Sequence, residues 1–353
     1  VAGADVWIVG IGETRHSPRR DDVSTTELAW EAVAAALDDA GVLLGDVEGA
    51  VTASQDFWEG RTISSMAVNE VVGATLGPEA KVAADGAQAV AYARARMLAG
   101  GYALTLVLAH CKESQADSHG VELAAMDPFY QRPLDPDEWV AAGLQAGMLG
   151  YPFELRARVV AAARARSPWL DPLGADEVGA SPEAATPLRA LERAPRADGA
   201  CALVLADGAT AAGLDRPAVR IVSAQTSTDP FWTDRELTRA PAAADARDRA
   251  LRDAGWDDLP ELLDVTAPFA HQLLLWAGEL GIGAPEAVVE RLEASDDLAP
   301  RGGWLAGAPT EVAGLSAVAG CAGRLRRRPG RALAHGASGI LGQSHHVVLL
   351  ETG

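Results

Sequence analysis

Apolar positions alternate or run unbroken in five short segments, residues 6–9, 104–109, 202–205, 219–222 and 347–350, which read as strands. Between them the apolar period lengthens to that of a helix. Residues 26–40 form one such stretch, closed by Gly41, and 86–98 a second, closed by Gly100-Gly101; 243–254 form a third, closed by Gly255, and 311–327 a fourth. A glycine just past the last periodic residue takes the left-handed helix cap without strain. Strands interleaved with helices predict α/β layering. Residues 115–181 carry more Pro, Trp and Met and break the rhythm, so an insertion of loops and short helices is expected there, capping the first half and covering a pocket.

The pattern also repeats. Ala35-Ala36-Leu37-Asp38-Asp39-Ala40-Gly41 returns 214 positions later as Arg249-Ala250-Leu251-Arg252-Asp253-Ala254-Gly255. Ten residues after each glycine comes the same tripeptide, Val51-Thr52-Ala53 and Val265-Thr266-Ala267, in the same register. Leu108-Ala109-His110 and Leu333-Ala334-His335 add a third echo at an offset of 225. Duplicated halves are therefore expected, residues 1–216 with the insertion and 217–353, related by a pseudo-dyad. A site would lie where helix starts from the two halves converge.

Composition narrows the chemistry. The 353 residues are 48% apolar and 22% charged, which excludes a disordered chain and a disulfide-stapled miniprotein. A net charge of -19 has the wrong sign for neutralising phosphates, so nucleic acid is not expected as a partner. Three cysteines, Cys111, Cys201 and Cys321, form no Cys-x-x-Cys pair and indicate neither a disulfide framework nor a zinc site; a reducing cytoplasm is the expected compartment. No apolar run approaches the roughly 18 residues that span a bilayer, and residues 1–12 read as a strand and turn without a basic signal-peptide start. Gly10-Ile11-Gly12 is not a dinucleotide fingerprint, because Arg15 holds the third glycine position.

Four motifs resemble the thiolase superfamily, and more closely its lipid-transfer-protein branch related to sterol carrier protein x. They are the opening strand from Val6 to Thr14, the segment Asp198-Gly199-Ala200-Cys201, the loop Gly302-Gly303 with Gly307-Ala308-Pro309, and the turn His335-Gly336-Ala337-Ser338-Gly339. The resemblance implies a five-layer αβαβα fold with two duplicated halves, commonly dimeric, that handles acyl-CoA thioesters. It also implies a nucleophilic cysteine at the start of the first core helix, a histidine in a Gly-His-Pro loop and a polar group in a His-Asp-Ala-Phe-like segment. Here those positions read Asp85, Ala308 in Gly307-Ala308-Pro309, and Thr266-Ala267-Pro268-Phe269, while the closing turn has His335. Thiolysis through an acyl-cysteine is thus not expected.

Asp85 precedes the helix 86–98 and has Gln88 three positions on, a capping-box pattern. Its plain role is a helix cap and its sharper one a base or electrostatic guide; a helix start stabilises the anion, so a depressed pKa is expected. His335 reads either as a proton carrier for a thioester or as a ligand for backbone groups in a glycine turn. The substrate-binding candidates implied by the resemblance are Gly302, Gly303, Ala308, Thr266, Gly336 and Gly339. His271 falls on a helix and reads as core, His345 and His346 point to opposite faces of a strand, and no metal site is expected. Cys111 beside His110 invites a dyad, yet neighbours on an extended chain point apart, and all three cysteines read as core. The basic run from Arg324 to Arg331 reads as a solvated surface or a dock for an acidic partner or a CoA phosphate.

The function implied is a non-thiolytic protein binding an acyl-CoA thioester, with carbon-carbon cleavage or acyl transfer on a β-hydroxy or β-keto acyl-CoA as its chemistry. No separate cofactor is implied, CoA being part of the substrate. The implied partners are a second copy, a thiolase homologue or a small OB-fold protein. Relatives of this branch carry tyrosines near the lost histidines, and this chain has four Tyr, none beyond Tyr151. The alternative left open is a catalytically silent scaffold subunit for an active thiolase or OB-fold partner.

Overall fold

The computed structural model describes residues 5–75 and 77–352. The chain runs β1 (Val6–Glu13), α1 (Thr25–Ala40), β2 (Gly49–Ala53), β3 (Glu79–Val82), α2 (Gly86–Leu98) and β4 (Leu104–Lys112). The insertion follows as α3 (Ser118–Ala124), α4 (Glu138–Leu149), α5 (Phe153–Ala165), α6 (Ala175–Ala180) and a small ribbon of β5 (Glu183–Ala185) and β6 (Leu188–Arg189). Then come β7 (Asp198–Asp207), α7 (Gly208–Gly213), β8 (Val219–Thr228), α8 (Pro241–Ala254), β9 (Leu262–Val265), α9 (Ala270–Glu279), α10 (Pro285–Ala294), α11 (Ala313–Leu325), β10 (Arg331–Ser338) and β11 (Ser344–Glu351).

Strand order is β3-β2-β4-β7-β1-β8-β11-β10-β9. Outward from the β1/β8 seam the two sides match: β1/β7 and β8/β11 are antiparallel, β7/β4 and β11/β10 antiparallel, β4/β2 and β10/β9 parallel. The seam joins only Val6, Trp7 and Ile8 to Ile221, Arg220 and Val219. The sequence repeats fall on equivalent elements: Gly41 and Gly255 cap α1 and α8 in the left-handed conformation, and the Leu-Ala-His echoes lie in β4 and β10.

Burial explains the layering. α1 sets Leu28, Ala32, Val33 and Ala36 against one face of the first half-sheet. The opposite face meets α2 and α11, whose Val90, Ala93, Leu315 and Val318 share a core with Val107 and Leu203 of the first half and Ala334 and Val348 of the second. Beyond the second half-sheet lie α8, α9, α10 and α5. These five layers, αβαβα, match the expectation. Gly10 and Gly12 lie inside β1, not in a turn, because α1 crosses there: a Cβ on Gly12 would stand 2.0 Å from the Ala32 carbonyl oxygen.

The insertion corrects one expectation. It does not simply cap the first half, because α5 buries Leu155, Val159, Val160 and Ala163 in the core of the second half. Polar anchors hold it there. Buried Arg156 pairs with buried Glu192 at 2.5 Å and donates to the Pro187 carbonyl, while Arg166 at the end of α5 donates to the Ser295 and Ala299 carbonyls. Among the described residues no helix is long and apolar enough to cross a membrane.

Candidate functional site

The starts of the two central helices meet around one carboxylate. Asp85 caps α2 in extended conformation, and its Oδ1 accepts the Ala87 N–H at 2.8 Å. Its Oδ2 accepts the Gly314 N–H of α11, also at 2.8 Å, and its own N–H donates to Ser338 Oγ at the end of β10 at 2.8 Å. Gly86 N–H donates to the Glu311 carbonyl just before α11, at 2.8 Å. The packing leaves no slack: a Cβ on Gly314 or Gly336 would lie 1.9 or 2.2 Å from Asp85 Oδ1. Asp85 is only 2% exposed, and this burial pushes its carboxyl up to about 7, against the pull of the two backbone donors. The expected depressed pKa is thereby corrected, because desolvation outweighs the helix ends.

Asp85 opens onto a cavity of about 460 Å³. Five aromatic side chains, Phe57, Trp58, Phe231, Trp276 and Trp304, wall it, and α3 contributes Val121 and Ala124, with Ala125 just past its end. The polar part comprises Asp85, Thr310, Glu311 and Ser338 with the amides of Gln55 and Gln343; Glu122, Glu138 and Arg193 also reach the wall. Arg193 pairs with Glu138 at 2.7 Å, and Arg196 pairs with Glu122 and Glu113. Glu113 Oε1 in turn accepts both the N–H and the hydroxyl of Thr310 at 2.6 Å, fixing the loop that carries Glu311. Among the described residues no cysteine or histidine lines this cavity. An apolar pocket with a few convergent polar groups, one a carboxyl shifted by burial, has the character of a small-molecule site.

Known structures share the architecture. A chain of the Ltp2-ChsH2(DUF35) aldolase superposes with a TM-score of 0.79 at 22% identity, over 100% of this chain and 99% of that one. A monomeric SCP2-thiolase-like protein type 1 (STLP1) from Mycobacterium smegmatis superposes with a TM-score of 0.77 at 19% identity, over 99% of this chain and 77% of that one. The fold is SCP2-thiolase-like. Identities this low carry the fold and leave activity to the site. No family model matches the sequence, and no curated protein matches it.

Within this thiolase-like fold the expected residues divide. Asp85 and Gly339 line the cavity. His335 does not: its Nε2 meets His345 Nδ1 at 2.9 Å and its ring packs near Trp276, on the face of β10 away from Asp85. It is fully buried, and burial lowers its pKa to about 3, so it stays neutral. Gly336 presents the opposite face, directly against Asp85. Thr266 donates its hydroxyl to the His335 carbonyl at 3.0 Å. Gly302, with φ of 79°, lets the loop approach α5, where a Cβ would stand 2.2 Å from the Ala163 carbonyl oxygen; Gly303 adopts φ of 60° beside β9, and Ala308 is buried. Thr266, Gly302, Gly303, Ala308 and Gly336 are not among the residues that line the cavity.

The other histidines and the thiols are not among the residues that line the cavity. His345 and His346 do point to opposite faces. Ser338 Oγ, which accepts from Asp85 N–H, also lies 3.1 Å from His346 Nε2, and His346 Nδ1 lies 3.1 Å from Thr226 Oγ. His271 is buried in α9 against Gln145. His110 Nδ1 lies 2.5 Å from Glu59 Oε1, both residues being buried. Cys111, Cys201 and Cys321 are buried free thiols whose pKa values burial raises well above the ordinary range. The arginine run sits at the far end of α11, about 20 Å along the helix from Glu311, with Arg324 tied to Asp297 and Arg326 to Asp39.

Proposed function

We propose that this chain is a non-thiolytic thiolase-like enzyme that cleaves or forms the carbon-carbon bond of a β-hydroxy acyl-CoA thioester. The observation that carries this reading is Asp85: a buried carboxyl at the meeting point of both central helices, facing a cavity that no thiol among the described residues lines. The aldolase named among the structural neighbours supports it by analogy of fold. In the cleavage direction, Asp85 takes the proton of the β-hydroxyl. That oxygen becomes a carbonyl as the Cα–Cβ bond breaks, and its electron pair passes into the thioester as an enolate. Gln55 and Gln343 line the same wall, and their side-chain amides would donate to the enolate oxygen. A pKa near 7 makes Asp85 a base matched to neutral solution.

The wall also constrains the substrate. Four carboxyl groups face one arginine, so the phosphates of CoA stay outside, while the five aromatic side chains suit a bulky, neutral, apolar acyl group. A protein partner belongs to the same reading. Val140, Leu144 and Met148 are exposed at four-residue spacing along α4, and Phe129, Tyr130 and Leu134 are each about four-fifths exposed just before it. A heteromer with a thiolase homologue or a small OB-fold protein would cover this surface. A purely scaffolding role would give no reason to keep buried carboxyls around an open cavity.

The test is turnover of a panel of 3-hydroxyacyl-CoA thioesters, with the carbonyl fragment and the shortened thioester as products. Asp85→Asn should lower cleavage by about 10²- to 10⁴-fold. Wild-type cleavage that survives this substitution unchanged would remove Asp85 from the chemistry.

A further inference from the structure

Glu311 is the second buried carboxyl of the cavity, and its surroundings are the opposite of those of Asp85. It lines the wall and is 1% exposed, yet among the described residues neither carboxylate oxygen has an N–H or O–H partner, and only the weakly donating Cys111 thiol stands beside it. The backbone around it is fixed, its carbonyl by Gly86 N–H and the preceding Thr310 by Glu113. An ionised carboxylate cannot be held there without compensation, so the resting group is the neutral acid.

The charged and titratable groups facing it agree. Burial pushes the Glu311 carboxyl up to about 8, and Glu113 and Glu59 push the same way, while the Cys111 thiol, a weak donor, offsets part of the shift. Glu59 is engaged with His110, and Glu113 with Arg196 and Thr310. Asp85, by contrast, receives two N–H donors that favour its anion. Two carboxyls whose environments differ in this way divide into a base and an acid.

Resting on the carbon-carbon cleavage reading above, we infer that Glu311 is the catalytic acid that protonates the α-carbon of the thioester enolate. The step balances. The hydroxyl proton goes to Asp85, the Cα–Cβ electron pair enters the enolate, and the Glu311 O–H bond breaks as the new C–H bond forms at the α-carbon. Asp85 ends neutral and Glu311 ionised, and one proton exchanged between them through water after product release restores both.

The experiment separates this assignment from the reading beneath it. Two rates are measured on the whole chain: cleavage of the 3-hydroxyacyl-CoA panel, and exchange of the α-hydrogens of acetyl-CoA with solvent deuterium at pH 8, followed by NMR. Glu311→Gln should lower both by about 10²-fold or more. Asp85→Asn should lower cleavage alone, since exchange at carbon does not need the hydroxyl base. Glu311→Asp, which keeps the acid on a shorter arm, should retain more exchange than Glu311→Gln. Wild-type rates in a folded Glu311→Gln protein, or equal loss of exchange in the Gln and Asn variants, would overturn the role of Glu311 while leaving cleavage standing. If Glu311→Gln does not fold, the pH profile of wild-type exchange decides: a limb rising through about pH 8 supports the assignment, and a flat profile refutes it. A wild-type protein that neither cleaves the panel nor exchanges acetyl-CoA would overturn both readings.

Discussion

Asp85→Asn should reverse part of the pH dependence of folding stability, and the size of the effect follows from burial. The carboxyl has an ordinary value of 3.8 in the unfolded chain and about 7 in the folded one. The rise from 3.8 to about 7 means that folding the ionised form costs about 4 kcal/mol relative to the neutral form. Between these two values the folded state binds more protons than the unfolded state. Stability from this group is therefore fully present below pH 4 and is lost as pH rises through 7. Over the accessible interval from pH 5 to pH 8 the loss is about 2–3 kcal/mol. Asparagine carries no charge, so the variant escapes the loss. It has only one side-chain acceptor for the two N–H groups of Ala87 and Gly314, which costs about 1–3 kcal/mol at every pH. The difference in unfolding free energy, variant minus wild type, should thus be negative at pH 5 and climb by about 2–3 kcal/mol by pH 8. Urea denaturation at matched ionic strength measures it, and the subtraction removes the other titrating groups. A difference that stays flat across that interval would show that the Asp85 carboxyl is not desolvated, and the assignment of a neutral-range base would go with it.

Three further outcomes follow from the packing. Gly336→Ala places a Cβ about where Asp85 Oδ1 now sits, so it should cost about 1–3 kcal/mol in urea melts and reduce cleavage as strongly as Asp85→Asn; near-normal turnover would mean that the carboxyl need not be held where it is. Glu192→Ala leaves the Arg156 guanidinium buried without its carboxylate and should destabilise the chain by about 3–5 kcal/mol, a value that a loss under 1 kcal/mol would contradict. Iodoacetamide at pH 8 should leave cleavage unchanged, since all three thiols are buried with raised pKa values; inactivation protected by a thioester substrate would point to a nucleophilic cysteine.

The architecture was legible because its determinants are local. The strands have period 2 and the central helices period 3.6, and Gly41 and Gly255 close helices that occupy equivalent places in the two halves. The same repeats foretold where helix starts would converge, and Asp85 lies at that point, bridging α2 and α11. What could not be read depends on which face a residue presents and on what approaches from elsewhere in the chain. Gly10 and Gly12 look like a turn until α1 is seen to cross them. His335 stands on the right strand, one position from the right face: Gly336 looks toward Asp85, while His335 looks toward Trp276 and His345. The apolar period places Glu311 first in a helix, where an acidic side chain ordinarily complements the dipole and meets solvent. The helix begins two residues later, at Ala313, so Glu311 lies in the preceding turn with its carboxyl buried and, among the described residues, without an N–H or O–H partner. Its one sequence signal was position: a carboxyl two places past Gly307-Ala308-Pro309, the loop in which a histidine base was sought and not found. On the assignment proposed above the loop still carries a proton-transfer group, an acid on a neighbouring residue in place of the histidine base, which a search for the lost histidine itself could not have found.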